Sequence, residues 1–113
     1  MTTNAIVVGS AAYQSAAAEY LDQLGWAVAK TELVAVTRYG QEIPLLRVFH
    51  PALSIVGESI SAVPREDAES AWWFRLSDGT YMAPCTDLPL AVSEIFRALE
   101  PIFRVVERQR SET

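Results

Sequence analysis

The spacing of hydrophobic residues changes twice along this chain, and those changes favour a mixed fold of helices and strands. Between Ser10 and Leu24 apolar residues recur every three or four positions, as they do on one face of a helix. From Trp26 onward, and especially over residues 31–39, the helical spacing is lost and β-branched and aromatic residues become frequent, which is typical of a strand. The helical spacing returns after Pro84, so the chain is predicted to run from helix through strands to helix.

Residues with strong local preferences mark the ends of the predicted helices. Ser10 is a suitable N-cap for the first helix, and Gly25 is a suitable left-handed C-cap. The last helix is expected to begin near Thr86 or Asp87, and Pro101 should kink or interrupt it. Residues 4–8 fit either a short strand or an earlier start of the first helix.

Two antiparallel hairpins are predicted between the helices. The first joins residues 31–39 to residues 45–49 through a turn at residues 39–42. The second joins residues 71–76 to residues 81–83 through an Asp-Gly turn, a strong short-range signal for a hairpin. Residues 51–70, which hold three prolines or glycines before an acidic stretch, are expected to form an exposed loop, with a short strand at 58–63 as the alternative.

These elements predict one α+β domain spanning residues 1–113. A chain of 113 residues has the size of one domain, so no separate regulatory domain is expected. The expected architecture has two layers: an antiparallel sheet of four to five strands in two hairpins, with an N-terminal and a C-terminal helix on one face.

Alternation along the strands also predicts what lies on the sheet face away from the helices. If the registers align, that face carries Arg38, Arg47 and Arg75 together with Phe49 and Trp73, whereas Trp72 points to the opposite side. Tryptophan and arginine are common in the energetic centres of protein interfaces. These five residues are therefore the candidate site for binding a partner or an anion.

The favoured hypothesis is a small non-enzymatic protein-interaction module, of adaptor, chaperone-like or regulatory type. It is expected to be a homodimer through the sheet face and to bind an unidentified protein partner. A plainer reading is that arginine stems cover the apolar face of a monomer and that Trp73 stacks beneath one of them. The alternative function is binding of a small anionic metabolite by Arg38, Arg47 and Arg75.

A less favoured hypothesis is an enzyme in which Cys85 is the nucleophile, His50 is the base and Asp87 orients the histidine. A lone buried cysteine is more often structural, so no catalytic residue is assigned. Cys85 and His50 are the chain's one cysteine and one histidine, and they lack metal-ligand spacing, so no metal is expected. The glycines are isolated and form no phosphate-binding loop, so no cofactor is expected either. The acidic residues Glu66, Asp67 and Glu69 are read as solvated loop charges.

Charge and hydropathy exclude two further classes of partner. The chain has 9 basic and 14 acidic residues, a formal net charge of −5, and no basic stripe, so nucleic acid is a poor partner. No apolar run approaches the roughly 20 residues that a membrane-spanning helix needs. The single cysteine and the absence of a basic, signal-like start predict a cytoplasmic protein.

Three short segments carry a resemblance to other proteins. The chain reads LRV..P at residues 46–51, WWF at 72–74 and APxxDL at 83–88, and over about residues 44–99 it resembles a group of short, uncharacterised actinobacterial proteins. The resemblance implies a bacterial cytoplasmic protein and supplies no activity, cofactor or site residue. The order of elements is also similar to secretion-chaperone-like α+β folds, which commonly dimerise and bind proteins.

Overall fold

The computed structural model describes residues 10–65 and 71–111, which form a five-stranded antiparallel sheet with helices packed on one side. This arrangement confirms the predicted α+β class. Predictions for residues 4–8 and for the acidic residues at 66–69 lie outside the described residues. The elements in chain order are helix α1 (Ala11–Val28), strands β1 (Val34–Arg38) and β2 (Leu45–Phe49), a 3-10 turn (Pro51–Leu53), strands β3 (Gly57–Arg65), β4 (Ala71–Arg75) and β5 (Tyr81–Pro84), and helices α2 (Leu88–Ala98) and α3 (Glu100–Ser111).

Helix α1 starts where the sequence predicts and ends one turn later. The Ser10 hydroxyl oxygen accepts a hydrogen bond from the Tyr13 amide at 3.1 Å, which confirms the predicted N-cap. The predicted end at Gly25 is wrong, because the helix continues to Val28, which is 1% exposed. That additional turn extends the buried stripe of the helix. Gly25 instead lies close to the sheet, since a Cβ atom there would be 3.5 Å from a methyl group of Leu46.

The first strand is shorter than predicted because a threonine occupies the connection that precedes it. The Thr31 hydroxyl donates to the Val28 carbonyl at 2.6 Å and accepts from the Leu33 amide at 3.1 Å. These bonds hold residues 31–33 in a bend, and the regular strand begins only at Val34.

The clearest correction concerns residues 51–70, which the sequence predicts as the exposed loop. They contain β3, the central strand, which pairs with β2 through residues 57–60 and with β4 through residues 61–65. Ile60 and Ala62 on this strand are fully buried. The alternative strand at 58–63 has the right position and is only too short. Its inner face has few apolar residues, and Pro64 near its end suggested a loop.

The strands lie in the sheet in the same order as in the chain, and every neighbouring pair is antiparallel. Residues paired across an antiparallel ladder point to the same side of the sheet. The side that faces the helices is apolar and buried, and its members include Leu46, Val48, Ile60, Ala62, Phe74 and Ala83. Trp72 also lies on this side, with its ring 5.7 Å from Tyr13 and 5.5 Å from Tyr20, as predicted.

The C-terminal helix is two helices. Asp87 caps α2 by accepting from the Leu90 amide at 3.2 Å, and the helix begins at Leu88, close to the predicted start near Thr86 or Asp87. The helix then breaks at Leu99, and Pro101 occupies the first turn of α3, where its missing N–H leaves no bond unmade. Pro101 therefore interrupts the helix, one of the two predicted outcomes. Two exposed ion pairs lie one helical turn apart in sequence, Glu94 with Arg97 at 2.8 Å and Glu100 with Arg104 at 2.9 Å.

Candidate functional site

All five predicted site residues lie on the sheet side away from the helices, which we call the open face. The register pairs Arg38 with Leu45, Arg47 with Val36 and Phe49 with Val34, and these pairs alternate with the buried positions of β2. Every open-face residue is at least partly exposed. The open face comprises Val34, Val36, Arg38, Leu45, Arg47, Phe49, Gly57, Ser59, Ser61, Val63, Arg65, Ala71, Trp73, Arg75, Tyr81 and Pro84.

Part of the open face is a cluster of two aromatic rings and two arginines, Arg65, Trp73, Arg75 and Tyr81, which we call the aromatic cluster. The guanidinium carbon of Arg65 is 4.7 Å from the centre of the Trp73 ring and 4.4 Å from that of Tyr81. The two rings meet edge to face with centres 6.0 Å apart, and Arg75 approaches the Tyr81 ring at 5.7 Å. These distances are those of cation–π and aromatic pairs, which hold the side chains in place before any partner binds.

Sequence reasoning missed Arg65 and Tyr81. The sequence predicts a loop at residue 65, and a loop has no alternation from which the side of a sheet can be read, whereas Arg65 is the last residue of β3. Tyr81 lies on a predicted strand, but an undistorted hairpin with its turn at residues 77–80 would pair it with Leu76, on the side that faces the helices. The register irregularity next to Arg75 pairs it with Arg75 instead and moves it to the open face, and alternation alone does not reveal such an irregularity. The stacking of Trp73 with an arginine agrees with the plainer reading of the sequence, with Arg65 as the arginine.

The three predicted arginines share a face but do not converge on one point. Arg38 and Arg75 lie three strand spacings apart, or roughly 14 Å between backbones. The Arg47 guanidinium donates to the Ser54 carbonyl at 3.3 Å and lies 5.9 Å from the Phe49 ring. Arg75 Nε donates to the Gly79 carbonyl, also at 3.3 Å. This arrangement spreads positive charge over a surface rather than enclosing one small anion.

An open groove of about 350 Å³ lies on this face where β2, β3 and β4 meet the β4–β5 turn. Of the predicted site residues only Arg75 lines it. The other lining residues are apolar or carry hydroxyl groups, namely Ile43, Leu45, Ser59, Ser61, Leu76, Ser77 and Gly79. The groove therefore has a mixed lining of apolar and hydroxyl-bearing side chains with one cationic group.

The charge of the open face is opposite to that of the whole chain. Its strands present Arg38, Arg47, Arg65 and Arg75, and no aspartate or glutamate occupies any of the open-face positions named above. The chain as a whole has a formal net charge of −5. The acidic residues are therefore concentrated away from these positions, and the open face is a local basic and aromatic surface.

The structure does not bring together the residues of the cysteine-enzyme hypothesis. Cys85 follows β5 and His50 follows β2, and these strands are three spacings apart, roughly 14 Å. His50 is 2% exposed; its Nδ1 accepts from the Ala52 amide and its Nε2 lies 3.4 Å from a Glu32 carboxylate oxygen. Asp87 caps α2. Burial raises the pKa of Cys85 to about 12, which leaves its thiol protonated at neutral pH.

Neither a metal-binding cluster nor a membrane-spanning helix is present in residues 10–65 and 71–111. These residues contain no group of three or more histidine, cysteine, aspartate or glutamate side chains arranged to hold a metal ion. None of the helices in this part of the chain combines the length and the hydropathy needed to cross a membrane.

Comparison with family models, curated protein sequences and solved structures finds no match to this chain. The resemblance to short actinobacterial proteins therefore stays a prediction.

Proposed function

We propose that this chain is a small protein-interaction module, of adaptor, chaperone-like or regulatory type, that binds a polypeptide partner on the open face. The observation that carries the proposal is the asymmetry of the sheet. Its described helices pack on one side, and the other side exposes aromatic, aliphatic and arginine side chains together. Contiguous surfaces of this composition on small proteins commonly mark sites of interaction.

The chemistry of the open face defines the partner that would fit it. Four arginines without an acidic side chain at the open-face positions favour a segment rich in aspartate or glutamate. The rings of Phe49, Trp73 and Tyr81 offer flat apolar area that loses little side-chain entropy on binding. The partner segment is therefore expected to alternate acidic with aromatic or aliphatic residues.

A homodimer through the open face is the less favourable use of this surface. Stacking two copies face to face would bring four arginines of one copy toward the same four of the other, and like charges across an interface are unfavourable. We therefore assign the open face to a different polypeptide. The anion-binding alternative has weaker support, because Arg75 is the one predicted clamp residue that lines the groove.

Selection from a random peptide library against the immobilised chain tests this proposal. The selected peptides should be enriched in acidic and aromatic residues, and their affinity should fall with rising salt concentration. The double variant Trp73→Ala/Arg75→Ala should weaken their binding about tenfold or more, as removal of interface anchors does.

The matched control is Trp26→Ala/Arg97→Ala, which removes an exposed tryptophan and an exposed arginine from the helical layer. Binding by this control should equal that of the wild-type chain. Peptides that bind the open-face variant as tightly as the wild type would overturn the proposal, and so would a selection without acidic enrichment.

A further inference from the structure

The two edges of the sheet differ in how their unpaired backbone groups are protected. The β5 edge contains Pro84 and has a register irregularity opposite Phe74 and Arg75. These are recognised devices that prevent another strand from adding to a sheet. The β1 edge has none of them among the described residues. Its first four residues, Val-Ala-Val-Thr, are uncharged, contain no proline and pair with β2 in unbroken register.

The outer side of β1 is also accessible. No described strand pairs with it, and Val36 at its centre is 37% exposed. Thr37 and Arg38 are exposed as well. An edge of this kind presents a row of backbone donors and acceptors that a further strand can satisfy.

We propose that a second copy of this chain occupies the β1 edge. The two β1 strands would pair antiparallel about a two-fold axis at Val36 and join the two sheets into one continuous sheet. This inference goes beyond the proposed binding function and does not depend on it, since the contact is made by the unpaired backbone of β1, whereas the binding proposal rests on side chains across the whole open face. The side chains of Val34, Val36 and Arg38 belong to both.

The sequence of β1 is complementary to itself in this register. Val36 lies opposite Val36 of the second copy, Ala35 opposite Thr37, and Val34 opposite Arg38. No like charges face each other. Each Arg38 also lies near the start of the other β1 strand. Glu32 of that copy, which precedes Val34, has a side chain that is 55% exposed, so opposite charges come close together. The edge contact thus avoids the arginine repulsion of a face-to-face stack.

Edge pairing leaves the open face available to a partner. A two-fold axis perpendicular to the sheet keeps both sets of helices on one side and both open faces on the other. The dimer would then present twice the basic and aromatic surface of one chain.

Sedimentation equilibrium over a hundredfold range of protein concentration tests the proposal. The wild-type chain should reach twice its mass of 12.5 kDa. Val36→Lys sets two ammonium groups opposite each other and should raise the dimer dissociation constant about tenfold or more. Ile55→Lys adds the same charge at a side chain that is 84% exposed and outside the sheet, and it should leave the dimer intact. A wild-type chain that stays monomeric, or a Val36→Lys variant that dimerises normally, overturns the proposal.

Substitutions of Val36 by opposite charges distinguish loss of the edge contact from damage to the fold. Val36→Lys and Val36→Glu should each be monomeric alone, and an equal mixture should dimerise again because opposite charges now meet. Two variants that remain monomeric when mixed would count against the edge contact.

Cross-linking distinguishes the edge from the open face. Directly opposite residues of an antiparallel pair have Cβ atoms about 4.5–5.5 Å apart, close to disulfide range, whereas stacked sheets are about 10 Å apart. Val36→Cys should therefore form a covalent dimer on oxidation, and the wild-type chain, with only the buried Cys85, should not. Trp73→Ala/Arg75→Ala should leave this dimer unchanged, so failure of the edge contact and failure of partner binding are distinguishable. Absence of the cross-link overturns the proposed edge pairing.

Discussion

The two sides of the sheet are built from alternate residues of the same strands, yet they have opposite properties. In β4, Phe74 points toward the helices and is fully buried, while the adjacent Trp73 points to the open face and meets Arg65 and Tyr81. The inner side consists mainly of aliphatic and aromatic groups packed against the helices. The comparison indicates that the inner side contributes most of the stability and that the open face contributes less.

The largest expected effect is a loss of stability on truncation of Phe74, and it tests whether the inner side of the sheet contributes most of the stability. Phe74→Ala should lower the free energy of unfolding by about 3–5 kcal/mol, because it leaves a cavity among fully buried side chains. Trp73→Ala, one residue away, should cost clearly less, since its ring is partly exposed. Urea unfolding of both variants provides the measurement. Equal losses would show that the inner side does not contribute most of the stability.

Gly57 is the open-face position at which even a substitution by alanine should destabilise the fold. A Cβ atom there would lie 2.4 Å from the Val48 carbonyl oxygen and 2.9 Å from the Phe49 Cβ atom, so the backbone of β2 or β3 would have to shift. Gly57→Ala should therefore cost about 1–3 kcal/mol, as overpacking does. Ser59→Ala, two residues along the same face, is the control and should be close to neutral. A stable Gly57→Ala variant would contradict this close approach of the strands.

The buried thiol on the inner side predicts how stability changes at alkaline pH. Burial raises the pKa of Cys85 from 9.0 to about 12, so above pH 9 the unfolded chain loses this proton while the folded chain keeps it. Stability should be complete below pH 9 and should decline by about 1.4 kcal/mol per pH unit between pH 9 and 12 from this group alone. Thermal unfolding across this range should show a shallower decline for Cys85→Ala. Identical slopes would mean that the thiol is not shielded from water.

The smallest effect concerns the aromatic cluster itself. Tyr81→Leu removes a ring that contacts Arg65 and Trp73, and it should lower the free energy of unfolding by about 0.5–1 kcal/mol. Tyr81→Phe keeps the ring and should be neutral. If Tyr81→Leu is as damaging as Phe74→Ala, the cluster belongs to the structural core and the comparison of the two sides breaks down.

Those parts of the fold that depend on local rules could be predicted from the sequence. The Ser10 cap, the Asp87 cap and the interruption at Pro101 all follow from preferences of single residues. The hairpin turn at Asp78 and Gly79 was predicted too, and Gly79 has the positive φ, +94°, that such a turn requires. The shared face of Arg38, Arg47 and Arg75 followed from alternation within each strand.

Features that depend on tertiary contacts could not be predicted. Gly25 has the residue type of a helix end, but burial of Val28 extends α1 past it. Strand β3 has only a weak hydrophobic pattern and is held by two neighbouring strands, which a single sequence does not reveal. Arg65 was missed for the same reason, because it lies on β3. The position of β1 at the edge of the sheet depends on the strand order, which the sequence does not reveal.

Strand β3 has a mechanical consequence. Its first four residues pair with β2 of the first hairpin, and its last five pair with β4 of the second hairpin. The backbone of β3 therefore connects the two hairpins within the sheet. A change in the twist of that backbone rotates Phe49 and Arg47 relative to the rings of Trp73 and Tyr81. The curvature of a single strand thus sets the spacing between two groups of contacts that a bound polypeptide would have to match.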